Sequence, residues 1–489
     1  MLAFDDRGQK QKVWDVTEHW RDPVVECLSG YALASPENLE GAQLQDAKRL
    51  LTDTLAVGLG AFRHPAAVIA RKYLALFPAD PNGAVVWGTP VKATPDKATL
   101  ANGVLLRCYD YNDVLIGRSA GGHPSDMVSA LVAIADWRGI PGATLLAALA
   151  LGYEVTEALY DVIPIEAAGW DHSTVSAIGA TCAIGKLLKL NFEQMCEALG
   201  IAAIQHMQSD EIESSITNRR GDLTMWKRFH GADAMRHALD SCLLASVGAE
   251  GAVRPFSGRL GFLAKFGVTA DVLPMLKERL DPGRLTRVMT HTNLKRWPVG
   301  SRAQSAIASA ISAYRQMPEG SAIASVHVTT QPGVYHHLVE IREDPWHPVS
   351  RETADHSLPY IVGAAVLDGF IDITSFDLDK VHDARRAAFI ADNVKIEVSK
   401  SLSEAPGSAG QNLSRVEIVT TNGRRYAGDV LPGPGHRDNP FSENDLAEKL
   451  HDNGDGLLGA ARVEDVRQLI GRMETVASTK ELTSLLAVS

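Results

Sequence analysis

The chain has 489 residues, 45% of them apolar, and a formal net charge of −11 at pH 7. This length predicts two to three domains around a sizeable core, and the acidic balance argues against general nucleic-acid binding, which leaves a basic footprint. Five scattered cysteines without a CxxC pair argue against cysteine-ligated zinc or iron–sulfur centres. Their usage, and an N-terminus without the apolar core of a signal peptide, predict a cytoplasmic protein.

Residues 21 to about 275 are rich in Ala and Leu at helical spacing, as in Leu44, Leu51 and Leu55. The most apolar stretch, 128–155, is interrupted by a polar Gly/Pro turn. This interruption predicts two buried helices and a turn rather than a membrane span. The whole segment therefore predicts an all-helical bundle.

The pattern changes after about residue 274. Alternating β-branched residues predict strands at 325–330 and 394–398, and a hairpin on an Asn-Gly turn over 415–426. Helices are expected between these strands, at 301–317 and 358–369. Together these elements predict a small α+β domain.

The tail returns to helix at Ser442, where Asp445 lies three residues on, as in a capping box. Packed back onto the first segment, this tail makes the first domain discontinuous. We therefore expect a mostly α protein with a large all-helical domain, residues 1–275 and 440–489, and a smaller α+β lid domain, residues 276–439.

The first candidate cluster joins Asp110 and Asp113 to His123 and Ser125 through a glycine-containing loop that leads into a buried helix. Two carboxylates and an imidazole at the mouth of a pocket are suited to acid/base catalysis. The alternative is a solvated turn, with Ser125 or Asp126 capping the following helix.

The second cluster, 169–174, places His172 just before a helix of small residues, whose N-terminus is a potential anion site. The alternative for His172 is a plain turn residue. The polar turn 351–357 precedes another apolar helix, and there capping by Ser or Thr is the favoured interpretation.

Two further clusters are basic. Lys227 and Arg228 lie between aromatic residues, where Lys227 is suited to bind a carboxylate or to donate a proton. Lys295 and Arg296 lie at the expected domain junction, where ligand sites are common, and such a basic pair suits a polycarboxylate. The alternatives are a snorkelling side chain at a helix end and a basic linker. Histidine spacings indicate no metal site.

Taken in order, the elements DYND…GGHPSD, GWDHST, MWKRFHGADA, LKRWPV and RETADHSLPY resemble the MmgE/PrpD family over about residues 20–475. That family includes 2-methylcitrate dehydratase, cis-aconitate decarboxylase and iminodisuccinate epimerase. The resemblance implies a helical domain with an α+β lid, usually a homodimer, and catalysis without a metal or other cofactor. The active-site positions that it implies are Asp110, His123, His172, Lys227 and Lys295.

The resemblance also bears on the reaction. The decarboxylase branch carries an Asp-Asp-Thr run where this chain has Asn112, Asp113 and Val114, and this difference favours dehydration. We therefore expect a metal-independent hydro-lyase that converts 2-methylcitrate to 2-methylaconitate in the methylcitrate cycle of propionate catabolism. Its partner is a di- or tricarboxylate, with no nucleic acid or membrane involved.

In this hypothesis the base is His123 or Asp110, and His172 is the other acid/base partner. The expected substrate-binding residues are Asp113, Ser125, Arg228 and Arg296. Decarboxylation of cis-aconitate or epimerisation of a related acid remains an alternative reaction, and a non-catalytic metabolite-binding protein is an alternative of another class.

Overall fold

The computed structural model of the chain describes residues 21–213, 224–281, 288–404 and 410–488. The helices in these ranges are α1 Pro23–Ala34, α2 Gly41–Gly60, α3 Pro65–Leu74, α4 Pro95–Arg107, α5 Val128–Arg138, α6 Gly142–Tyr160, α7 Ser173–Leu187, α8 Phe192–Gln205, α9 His230–Ser246, α10 Phe262–Lys265, α11 Leu273–Arg279, α12 Val288–His291, α13 Gln304–Gln316, α14 Pro332–Tyr335, α15 Arg351–Ala354, α16 Leu358–Asp368, α17 Leu378–Val381, α18 Ala384–Asn393, α19 Ser401–Glu404, α20 Glu443–Leu458, α21 Ala460–Gly471 and α22 Lys480–Leu486. The strands are β1 Ala84–Val85, β2 Lys92–Ala93, β3 Leu115–Ile116, β4 Gly121–Gly122, β5 Ile323–Thr330, β6 Val394–Val398, β7 Ser414–Thr420 and β8 Arg425–Ala427. The protein is mostly α, as predicted.

The helices α1–α12 and α20–α22 form what we call the helical region. Leu51, Leu55 and Leu59 of α2 are buried because their spacing puts them on one face of the helix. That face packs against α20, and apolar residues of α20–α22 belong to the same core as residues between 39 and 294. The end of the chain thus completes a core that its beginning starts.

Two buried helices, α5 and α6, account for the most apolar part of the sequence, as predicted. Gly139 ends α5 in the left-handed conformation, with φ of 63°, which glycine adopts without a steric cost. Within the described residues, α6 is the one helix long and apolar enough to cross a membrane, and most of it is buried inside the fold.

A four-stranded sheet of order β6-β5-β7-β8 characterises the second part, residues 299–427, which we call the α+β region. β5 and β6 are parallel, and the other two pairs are antiparallel. Val326 pairs with Val394 and Ile418, and the inward residues of the sheet pack against α13 and α16. The hairpin of β7 and β8 turns at Gly423, with φ of 80°, as the Asn-Gly pair predicted.

Two short strand pairs, β1–β2 and β3–β4, lie in the helical region, where the sequence predicted helices alone. The second pair shapes the loop before His123. A Cβ atom at Gly122 would lie 2.6 Å from Cγ of His172, so this close approach requires glycine.

The predicted capping box at the start of α20 is present. The backbone N–H of Asp445 donates to Oγ of Ser442 at 3.2 Å, and the N–H of Ser442 donates to Oδ2 of Asp445 at 2.9 Å. These bonds satisfy two N–H groups that the helix itself leaves unpaired.

Candidate active site

Asp110 lies at the centre of a buried ionic cluster between the helical region and the α+β region. Its Oδ1 is 3.1 Å from Nζ of Lys295, its Oδ2 is 3.3 Å from Nε2 of His356, and Nε2 of His123 is 3.7 Å from Oδ1. Burial raises the pKa of the Asp110 carboxyl, but the charge of Lys295 and the hydrogen bond from His356 outweigh it and hold the pKa well below its usual range. The carboxylate is therefore ionised and weakly basic.

His123 precedes the 3₁₀ turn Pro124–Met127 that leads into α5. Its Nδ1 is hydrogen-bonded to the carbonyl oxygen of Asp113, which can only accept. Nδ1 therefore carries the proton, and the lone pair of Nε2 faces the cluster. Burial and the nearby cations Arg107 and Lys295 lower the pKa of His123 well below its usual value, so its imidazole is neutral and able to accept a proton.

A second imidazole, that of His172, packs edge to face against His123 with 4.9 Å between ring centres. Behind it, Asp171 accepts the N–H of Ser173 at 2.8 Å, so a carboxylate of the chain itself occupies the N-terminus of α7. Asp171 also lies 3.7 Å from Nε2 of His172 and 3.2 Å from Nε2 of His230. Burial raises the pKa of Asp171, but these two imidazoles outweigh it and lower the pKa well below its usual range.

The basic turn Met225–Arg228 meets the α+β region at His356. Nζ of Lys227 lies 3.3 Å from Nε2 of His356, whose Nδ1 donates to Oδ1 of Asp355. The other oxygen of Asp355 accepts from Arg228 at 3.0 Å. This chain of contacts fixes the orientation of the His356 ring and aims its Nε2 at Asp110.

Asp113 and Ser125 are hydrogen-bonded to the protein. Asp113 accepts from the hydroxyl of Tyr153 at 2.7 Å and from the N–H of Ser125 at 3.3 Å. Oγ of Ser125 accepts from Asn112 at 3.0 Å, and no side-chain hydrogen bond caps the N-terminus of α5. Both residues thus hold the loop that carries His123, and the capping alternative for Ser125 and Asp126 is wrong.

Arg228 and Arg296 differ in position. Arg228 is buried at the edge of the cluster, where it pairs with Asp355 and lies 3.7 Å from Glu352. Arg296 points away from the cluster, because its guanidinium lies 3.3 Å from Glu448 of α20. The structure thus brings the five predicted catalytic residues together with Arg228 and leaves Arg296 outside.

Sequence reasoning missed His356 and His230. His356 lies in the polar turn for which capping was favoured, and Ser357 does cap α16 there by accepting from the N–H of Tyr360. One short turn therefore carries a cap and a member of the cluster. His230 lay inside a motif already singled out, and a histidine two positions after Arg228 was the available signal.

Two groups of side chains in the described ranges each place three potential metal ligands within 4.8 Å of one another. One is Asp171, His172 and His230, inside the cluster. The other is His206, Asp233 and His237, where Arg236 already pairs with Asp233 at 2.6 Å. These residue types suit a divalent transition metal.

Comparisons with known proteins agree with this architecture. The MmgE/PrpD N-terminal domain matches residues 29–272, and the MmgE/PrpD C-terminal domain matches residues 297–475. The chain is 24% identical to human cis-aconitate decarboxylase over 457 residues, which cover 91% of this chain and 90% of that protein. It is 23% identical to 2-methylcitrate dehydratase of Salmonella typhimurium over 381 residues, 74% of each protein. A 2-methylcitrate dehydratase of Cupriavidus necator is 26% identical over 238 residues, 47% of each. These relatives are lyases, and the two domain matches show that the chain belongs to the MmgE/PrpD family.

Proposed function

We propose that this enzyme is a hydro-lyase that removes water from a tricarboxylate, with 2-methylcitrate as the first candidate substrate and 2-methylaconitate as the product. The observation that carries the proposal is the ionised Asp110 held between Lys295 and His356 beside the neutral imidazole of His123. This arrangement places cations, a base and proton donors around one point. Dehydratases of this family among the relatives support the same reaction.

His123 is the proposed base. Dehydration breaks a C–H bond next to a carboxylate, and the proton must pass to a group that is unprotonated at neutral pH. Nε2 of His123 meets this requirement because its lowered pKa keeps the ring neutral. The Asp110 carboxylate is also unprotonated, but Lys295 and His356 already hold its two oxygens. The neighbouring ring of His172 is the second acid/base group.

Lys295 and Lys227 are the proposed substrate cations. As the proton leaves, negative charge builds on the substrate carboxylate, and buried ammonium groups stabilise that charge strongly because little water screens them. Lys295 is only 1% exposed and Lys227 only 2% exposed. In the free enzyme, the Asp110 carboxylate holds the ammonium group of Lys295 in place.

His356 is the proposed donor to the leaving hydroxyl. The C–O bond breaks with both electrons on oxygen, so the group must receive a proton to depart as water. Asp355 holds Nδ1 of His356 and Lys227 lies next to Nε2, so the proton that Nε2 carries can pass directly to the departing oxygen. Because these side chains are buried, substrate entry requires some of the groups around the cluster to move.

The test is incubation of the purified enzyme with 2-methylcitrate, citrate and cis-aconitate, followed by absorbance of the unsaturated product and by mass spectrometry. We expect loss of one water from 2-methylcitrate. His123→Ala and Lys295→Ala should lower the rate about 100- to 10,000-fold. Near-parental rates in both variants would refute these roles.

Decarboxylation of cis-aconitate is the second candidate, because the alignment with human cis-aconitate decarboxylase spans nearly the whole of both chains. It uses the same cations to hold the substrate, but it breaks a C–C bond and releases CO2. Epimerisation of a related acid would change neither mass nor composition. The same mass-spectrometric assay, with CO2 capture and chiral separation, distinguishes the three reactions.

A further inference from the structure

Lys449 of α20 is fully buried and its ammonium group makes three hydrogen bonds. It donates to Oδ1 of Asp53 at 2.6 Å, to the carbonyl oxygen of Lys295 at 2.9 Å and to the carbonyl oxygen of Tyr111 at 3.3 Å. An ammonium carries three protons, so each proton has an acceptor. The two carbonyls belong to the backbone on either side of the Asp110–Lys295 pair.

Tyr111 forms a second link between the same two segments. Its ring lies 3.9 Å from Nζ of Lys449, and its hydroxyl donates to the carbonyl oxygen of Arg296 at 2.7 Å. A short antiparallel bridge between Val114 and Asn293 continues the connection, with backbone hydrogen bonds of 2.8 and 2.9 Å. The segments that carry Asp110 and Lys295 are thus held together at three successive points.

Asp110 has an uncommon backbone conformation. Its φ of 46° lies in the left-handed region, which few residues other than glycine adopt, although aspartate does so more often than most. Residues in such conformations persist where the surrounding structure holds them, and they concentrate at functional sites. The carbonyl of the next residue, Tyr111, is one of the groups that Lys449 binds.

We propose that Lys449 is a positioning residue, which holds the backbone of Asp110 and Lys295 in register for the dehydration proposed above. It touches neither the substrate nor the reacting atoms in this account. Its effect is on the distance between the Asp110 carboxylate and the Lys295 ammonium, and catalysis depends steeply on such distances. Only the predicted effect of Lys449 on the rate rests on the proposed function; its effect on the backbone does not.

The main variant is the double substitution Asp53→Asn with Lys449→Met. It removes both charges of the buried pair, whereas Lys449→Met alone would leave Asp53 buried without its cation and would confound stability with positioning. The matched control is Lys48→Met with Glu474→Gln. Nζ of Lys48 pairs with Glu474 at 2.6 Å and joins α2 to the end of α21 without reaching the cluster.

Two readouts are needed. The first is kcat and KM for 2-methylcitrate: we expect kcat of the main variant to fall about 10- to 100-fold, with KM within about threefold of the parent. The second is amide hydrogen exchange of peptides covering residues 110–116 and 291–297, which we expect to become faster because the Val114–Asn293 bridge opens more often. The control pair should change neither readout.

Parental kcat or parental exchange in a folded main variant would overturn the proposal. If the main variant fails to fold, Asp53→Asn with Lys449→Gln removes the same two charges but keeps a polar side chain with two N–H donors in place of three. The same two changes are then expected at smaller size, and their absence would again overturn the proposal. A parent without turnover of any tested tricarboxylate would reject the proposed function instead, and the exchange comparison would still decide whether Lys449 holds the two segments.

Discussion

Nε2 of His356 lies 3.3 Å from Oδ2 of Asp110, across the boundary between the α+β region and the helical region. We predict that His356→Asn lowers kcat about 100- to 10,000-fold, because the cluster then lacks its proposed proton donor. Steady-state kinetics with 2-methylcitrate measure the effect. His347→Asn, at an exposed histidine of the same region that pairs with Asp344, is the control and should keep parental kcat.

The pH dependence should report the low pKa of His123. A base must be unprotonated to act, so a lowered pKa moves the acid limb of kcat/KM below the ordinary histidine value of about 6.5. Arg107→Gln removes a nearby cation and should shift this limb to higher pH. Because both enzymes are compared on one substrate, ionisation of the substrate cancels; an unshifted limb would contradict the assignment of His123.

Gly122→Ala should impair catalysis by displacing His172. The added Cβ would lie 2.6 Å from Cγ of His172, 2.7 Å from Cβ of His172 and nearer still to the hydroxyl oxygen of Tyr160, closer than side chains tolerate. We expect kcat to fall about 100-fold, since small displacements of catalytic groups are costly. Gly333→Ala, where the new methyl group meets nothing within 4 Å, should leave kcat unchanged. Equal kcat in the two variants would argue against a role for His172.

Asp113 should make the stability of the protein depend on pH. Burial, opposed by hydrogen bonds from Ser125 and Tyr153, raises the pKa of Asp113 from 3.8 to about 7. Its contribution is fully present below pH 3.8 and is lost as the pH rises towards 7, because the unfolded chain releases the proton first. The free energy of unfolding of the parent, relative to Asp113→Asn, should therefore fall by about 1.4 kcal/mol per pH unit in this window. Urea titrations at pH 4.5, 5.5 and 6.5 check the slope; parallel curves would exclude a raised pKa.

The fold was predictable where local pattern and burial agree. Val326 and Val328 alternate with polar residues, and this alternation predicted a strand because one face of the sheet is covered by helices. The Asn422–Gly423 pair predicted the hairpin because it favours a tight turn between antiparallel strands. The strand pair β3–β4 was not predicted, because each strand is two residues long and β4 consists of two glycines, which have no preference for strands.

The candidate site was predictable only in part. Adjacent basic residues Lys295 and Arg296 are equivalent in the sequence, but the first turns to Asp110 and the second to Glu448, and this choice depends on distant segments. The place of His356 in the site was not predicted, because helix capping was a sufficient explanation for its polar turn. The role of Lys449 was not predicted, because its partners lie on other elements: Asp53 is 396 positions away.

That separation has a consequence for how the protein is made. The apolar face of α2 is covered by α20, so the ribosome must synthesise almost the entire chain before the core of the helical region can form completely. Contacts between such distant positions form slowly, and an uncovered helix face invites aggregation meanwhile. A fragment that stops before Ser442 should accordingly be insoluble, even though it retains every proposed catalytic residue.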